Sequence, residues 1–235
     1  MSNALFPNLH DSSLDAFGVS VTHGSCVVRL AGVTGDLPNS ACVEISCSQL
    51  NSLFLVIDGE EICDNAWPGN VQDGRIEAAD HSEVFRLYLA GGMLEVGGIF
   101  TSHIVPRHVD SAVSHFRPSE AVKPFDQQLA DALHFAVLTE ISHSVERKEI
   151  AIQLLAPVGD ISNPLQADLP RRAATIILEE VRSCVMRLDA STVGGCGILG
   201  NVRNCLLDEE RGIVWLYLRN GIIEVKAERA LFAFD

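Results

Sequence analysis

One ten-residue stretch occurs twice in this chain. Leu87-Tyr88-Leu89-Ala90-Gly91-Gly92-Met93-Leu94-Glu95-Val96 lines up with Leu216-Tyr217-Leu218-Arg219-Asn220-Gly221-Ile222-Ile223-Glu224-Val225, identical at six of ten positions. Tyr88 and Tyr217 are the two tyrosines of the chain. Upstream, Gly69-Asn70-Val71 matches Gly200-Asn201-Val202, and Ile45, Leu50, Ser52 and Asp58 match Ile176, Val181, Ser183 and Asp189 in constant register. Further back, Leu9, Asp11, Val21 and His23 fall against Leu129, Asp131, Ile141 and His143. Matches in the same order along both halves mark an internal duplication, so each half is expected to build the same unit. The expected organisation is a repeat unit over residues 1–105, a linker over 106–124 that carries Pro106, Pro118 and Pro124, and a second unit over 125–235.

Both units alternate apolar and polar residues and are rich in Val, Ile, Leu and Phe between Gly and Pro punctuation, which reads as strands. In the first unit they are expected near Phe17–Thr22, Ser25–Ala31, Ala41–Ser48, Ser52–Ile57, Val84–Ala90 and Met93–Phe100. The second repeats them near Ala136–Ser142, Glu149–Leu155, Ala173–Glu179, Ser183–Leu188, Ile213–Arg219 and Ile222–Ala227. Phe125–Val137 and Gly197–Leu207 could each hold a helical turn or two. The fold class is mainly β, with α+β possible: two homologous antiparallel β-sheet units in tandem, related by an approximate two-fold or a translation. Units this small bury about 60% of their unfolded surface, so packing of one on the other is expected to stabilise both.

Asn220-Gly221 is a strong type I′ turn signal, and Gly91-Gly92 stands in the same place. A two-residue turn there sets Tyr217 opposite Glu224 and Tyr88 opposite Glu95, with leucines and valines on the other face. The Tyr and Glu pairs read either as cross-strand contacts on a solvated face or as part of a binding surface.

Charge is unevenly spread. The net charge is -14, and residues 1–105, with 3 basic and 13 acidic side chains, contribute -10 of it. Nucleic acid and anionic membrane surfaces are therefore disfavoured as partners. Asp58, Glu60, Glu61 and Asp64 crowd just ahead of Trp67. Such a run is either a solvated acidic turn or a docking patch for a basic protein, in which the carboxylates steer approach and the ring anchors. The candidate binding residues are thus Asp58, Glu60, Glu61, Asp64, Trp67, Tyr88 and Glu95, with Tyr217 and Glu224 as repeat equivalents.

No apolar run reaches the length of a membrane helix, and Met1–His10 lacks a signal peptide's basic and apolar regions, so a soluble, cytoplasmic protein is expected. Seven cysteines without a CxxC pair, several inside apolar runs, suit reduced buried thiols. The eight histidines form no nucleophile motif with a serine or cysteine, and neither HExxH nor a phosphate-binding glycine motif is present. His103, His108 and His115 read as a surface cluster rather than a metal site. The expectation is no catalytic residue, no metal and no cofactor, in a monomer or weak homodimer. The rival is a small-molecule or carbohydrate-binding β protein, or a hydrolase assembled from distant residues, with Asp11, His10 and His23 as first candidates.

Leu9-His10-Asp11-Ser12, followed by Leu14 and by alternating residues through Val21 and Val27-Val28-Arg29-Leu30, resembles the opening of small bacterial β-rich proteins of the immunity protein 50 type. These begin with an FHDA-like motif, run through several strands and finish in a hairpin. Leu129-Ala130-Asp131-Ala132-Leu133 reads as a degraded second copy. The resemblance implies an inhibitor that binds and neutralises a partner toxin inside the producing cell.

Overall fold

A computed structural model describes residues 9–32, 41–64, 70–79, 82–106, 122–158, 170–190 and 201–234. The architecture is mainly β. The elements are β1 (Ser13–Ser20), β2 (Ser25–Ala31), β3 (Ala41–Asp58), α1 (Gly59–Asp64), β4 (Val71–Ala79), β5 (Ser82–Leu89), β6 (Gly92–Pro106), β7 (Lys123–Pro124), α2 (Gln127–Ala132), β8 (Val137–Ser144), β9 (Glu149–Pro157), β10 (Arg171–Asp189), β11 (Val202–Asp208), β12 (Ile213–Leu218) and β13 (Gly221–Phe234). All pairings among the described strands are antiparallel.

Two long strands organise the sheet. The first part of β3 pairs with β2 and the first part of β10 with β9, whereas their second parts pair with each other, Ser52 opposite Asp189 and Asp58 opposite Ser183. β1 also pairs with β8, so β1, β2, β3, β10, β9 and β8 close a ring of six strands. From the β3–β10 pair the sheet extends both ways, through β6, β5 and β4 on one side and β13, β12 and β11 on the other. The alternation of the sequence then does its work. Phe17, Leu30, Ile45, Ile152 and Ile176 from the ring share one buried cluster with Leu55, Leu94, Met186, Leu216 and Val225 from the extension. Each large aliphatic or aromatic side chain so enclosed contributes about 1.5 to 3 kcal/mol.

Matching features recur along the chain. Gln49 and Glu180 both have left-handed backbone, φ 53° and 54°, where β3 and β10 bend. Asp11 and Phe135 do so ahead of β1 and β8, φ 64° and 66°, and their amides bond the carbonyls of Val71 and Val202. The turns after β1 and β8 are closed by Gly24 and Lys148, which donate to Val21 and Val145. Val21 thus matches Val145 rather than Ile141, and Leu9-His10-Asp11-Ser12 matches Leu133-His134-Phe135-Ala136 rather than the stretch from Leu129. The counterpart of the opening motif keeps its histidine and replaces the acid by Phe135.

Other expectations are corrected as well. The separate strands expected over 41–48 and 52–57, and over 173–179 and 183–188, are single bent strands. Gly197–Leu207 could hold a helical turn or two by its sequence; its residues 197–200 lie outside the described residues, and Val202–Asp208 is the edge strand β11, while β4 is an edge strand the alternation did not show. Both edge strands are rich in polar residues because only one of their faces meets the core. The terminal hairpins turn at Ala90-Gly91 and Arg219-Asn220, one residue earlier than expected, with Leu89 opposite Gly92 and Leu218 opposite Gly221. Tertiary bonds set these turns: Gly91 and Asn220 carbonyls accept from the amides of Asp58 and Asp189, while Ala90 and Arg219 donate to the carbonyls of Asn70 and Asn201. The glycine after each turn is spent elsewhere. A side chain on Gly92, at φ 152°, would run into the Val56 carbonyl, and one on Gly221 into that of Arg187.

Candidate functional site

The turn shift moves each partner by two residues, so every side chain stays on its expected face but meets a different neighbour. Tyr88 lies opposite Met93, not Glu95, and Tyr217 opposite Ile222, not Glu224. Glu95 instead receives Arg86 Nε at 2.6 Å, and Glu224 accepts from Trp215 Nε1 at 2.8 Å. Tyr88 is held by Arg75, whose Nη2 donates to its hydroxyl at 3.0 Å and whose guanidinium lies 5.4 Å from its ring centre.

What the sequence kept apart, the β3–β10 junction joins. Tyr88, Met93, Val56, Val185, Glu224, Trp215 and Leu206 form one continuous row across seven strands. Beside it runs Arg75, Arg86, Glu95, Phe54, Arg187, Ile222, Tyr217 and Asn204. The reverse side of these strands is the buried core, so both rows belong to the outward face, where most side chains are half-buried. Tyr88, Glu95, Tyr217 and Glu224 are therefore brought onto one surface. Its Trp, Tyr, Met and Arg content is that of protein interfaces. Trp215, Phe54 and Arg187 were not picked out from the sequence, although Trp215 alternates with Tyr217 and so had to share its face.

Asp58 stands at one end of this face, two positions beyond Val56 on β3. Its Oδ1 accepts from the amides of Glu60 and Glu61 at 3.0 and 3.1 Å, capping α1 and holding the two exposed glutamates at the border of the face. Asp58 is thus first a helix cap. The Asp64 side chain and Trp67 lie outside the described residues, as do His108 and His115. His103 is exposed on β6.

The residues named for a hydrolase do not assemble. His10 and Asp11 are neighbours, 2.9 Å apart and exposed, ahead of β1, whereas His23 lies in the turn after it and meets Ser20 Oγ at 2.8 Å. The eight residues of β1 separate them by about 26 Å. Leu9-His10-Asp11-Ser12 is instead a structural turn: Ser12 Oγ donates to the Leu9 carbonyl at 2.6 Å, with Leu9 and Ser12 both buried. Among the described residues no cluster of His, Cys, Asp and Glu could hold a metal ion. Nor is any described helix long and apolar enough to cross a membrane.

Five described cysteines are free and buried. Burial pushes the Cys47 thiol up to about 11 and those of Cys184 and Cys205 to about 12, while Cys26 is pushed up further. Held protonated by burial, these four thiols are poor nucleophiles. Comparison with protein-family models, with curated proteins and with solved structures found no match.

Proposed function

We propose that this chain is a non-catalytic binding protein that grips a basic protein partner through the outward face of the extended sheet and its acidic border at α1. The observation that carries this reading is the row Tyr88, Met93, Trp215 and Leu206, large side chains left half-buried or exposed on a continuous surface. Aromatic and Met side chains of this kind become anchors when a partner expels water from them. The -10 charge of residues 1–105, with Glu60 and Glu61 at the border, favours a basic partner and raises its association rate. An inhibitor of the immunity type, neutralising a toxin, is the form of this activity that the opening motif suggests.

The experiment is affinity capture from the source cell, followed by binding kinetics of the identified partner at low and high salt. A basic protein whose association slows when Glu60 and Glu61 are both replaced by glutamine, and slows less at high salt, supports the reading. A partner bound with salt-independent kinetics by both proteins contradicts it.

A further inference from the structure

Beyond Gly98 the strand β6 leaves its neighbour β5 and runs on beside β3 alone, with Ser48 opposite Ile99 and Cys42 opposite Val105. Among the described residues no strand pairs with its other side, so residues 99–105 form a free sheet edge. The amide of Phe100 shows which groups lie there, because it turns away from β3 and donates to Glu83 Oε2 at 3.2 Å. By the alternation of an antiparallel ladder, the backbone groups of Ser102 and Ile104 face the same way. Their side chains, with that of Phe100, stand on the core side of the sheet, opposite Ile45, Val43 and Cys47. Phe100 packs on Phe85, whereas Ile104 is 61% exposed and Ile99, on the other face, 44%. No residue from 99 to 105 is Asp, Glu, Lys or Arg. A long apolar edge without charge is a template for a further strand.

The matching edge, on β13, is occupied. There Ala230, Phe232 and Phe234 stand opposite Leu178, Ile176 and Ala174, as Phe100, Ser102 and Ile104 stand opposite Cys47, Ile45 and Val43. β7 pairs antiparallel with Leu231 and Phe232, the Phe125 amide donates to the Ala230 carbonyl at 2.9 Å, and the Phe125 ring stacks on Phe232. An antiparallel strand therefore already fits this edge geometry within the same chain.

We propose that residues 99–105 are a homodimer interface, at which two copies of the chain pair their β6 edges antiparallel about a two-fold axis at Ser102. That register sets Ser102 against itself, Phe100 against Ile104, Thr101 against His103 and Ile99 against Val105. Each Ile104 leaves water against the second copy's Phe100, and the apolar row of the core continues from one copy into the next. The backbone groups match as well, Ser102 donating to Ser102 and Ile104 to the Phe100 carbonyl in both directions. An axis at Thr101 would leave Ile104 opposite Gly98, and one at His103 would set Phe100 opposite Pro106, which has no amide to donate. Residues 1–105 of each copy carry a charge of -10, so the copies associate more tightly as salt screens them. A basic partner behaves in the opposite way, and the edge takes none of Tyr88, Trp215, Glu60 and Glu61. The interface is thus independent of the function proposed above.

The test is sedimentation of the full chain from micromolar to millimolar concentration at low and high salt. The expected result is a monomer–dimer equilibrium that shifts toward dimer at high salt. Ile104→Lys, which puts a charge on an already exposed side chain, and Ser102→Pro, which removes an amide that β3 does not use, should each weaken the dimer at least tenfold. Mild oxidation should cross-link Ser102→Cys into a dimer beyond the level of the unaltered chain, but not Ile104→Cys, whose two copies stand about 14 Å apart in this register. A chain that stays monomeric throughout, dimer affinity unchanged in Ile104→Lys, or absence of the Ser102→Cys cross-link would each overturn the proposal.

Discussion

The carboxamide oxygen of Asn70 accepts the amide hydrogen of Leu14 at 2.8 Å, across 56 residues and wholly inside the protein. Asn201 makes the same bond to the amide of Leu138 at 2.7 Å. Each amide lies where β1 or β8 carries an irregularity, between Leu14 and Ala16 and between Leu138 and Glu140, and each asparagine supplies the acceptor the ladder there lacks. Truncating either to alanine leaves a buried donor without a partner, at a cost of about 1 to 3 kcal/mol. Asn70→Ala and Asn201→Ala should each lower the urea midpoint by comparable amounts; a shift in one only would show that the two bonds are not equivalent.

His143 gives the fold an acid limit. It is buried against Phe17, ring centres 5.3 Å apart, and its Nδ1 has no hydrogen-bond partner among the described residues. Burial lowers its pKa from 6.5 to about 4. The folded protein therefore keeps it neutral while the unfolded chain takes up a proton, so stability is full above pH 6.5 and falls as pH drops toward 4. The loss reaches about 3 kcal/mol at the lower end. The matching position in β1 is Val19, and His143→Val should flatten this part of the stability profile, as denaturant melts from pH 7 to 4 would show. An equally steep profile in the variant would place the acid sensitivity elsewhere.

Cys26 and Cys47 face each other across β2 and β3, yet both thiols are held protonated by burial. In the native protein at pH 8 the described cysteines should resist iodoacetamide, and after unfolding without reductant all seven cysteines of the chain should react. Mass spectrometry of labelled peptides measures both. Rapid native labelling of Cys184 or Cys205 would contradict the packing of the extension, and fewer than seven labels after unfolding would reveal a disulfide.

The strands were legible because their faces differ so sharply: Leu87, Leu94 and Val96 could only point one way. Positions of turns were less so, because Asn220-Gly221 is a strong local signal that loses to bonds from Asp189 and Asn201, residues remote in sequence. The candidate surface was half legible. Tyr88, Glu95, Tyr217 and Glu224 were visible as members of two hairpins, but nothing local says that β3 and β10 pair and lay those hairpins on one sheet. Arg187 facing Phe54 is a consequence of that pairing, which no local motif announces. Glu60 and Glu61 were visible as charge, and the helix that presents them needed Asp58 as a cap.

That the outward sheet face is the binding surface is tested most directly by the dissociation rate of the captured partner from Tyr88→Ala and Trp215→Ala, measured beside a control substitution on the exposed loop residue Glu209. At least one of the two should release the partner faster by a factor corresponding to about 2 kcal/mol, with unchanged stability of the free protein, while Glu209→Ala behaves as the unaltered chain does. Dissociation rates unchanged in both face variants would contradict a binding surface on this sheet.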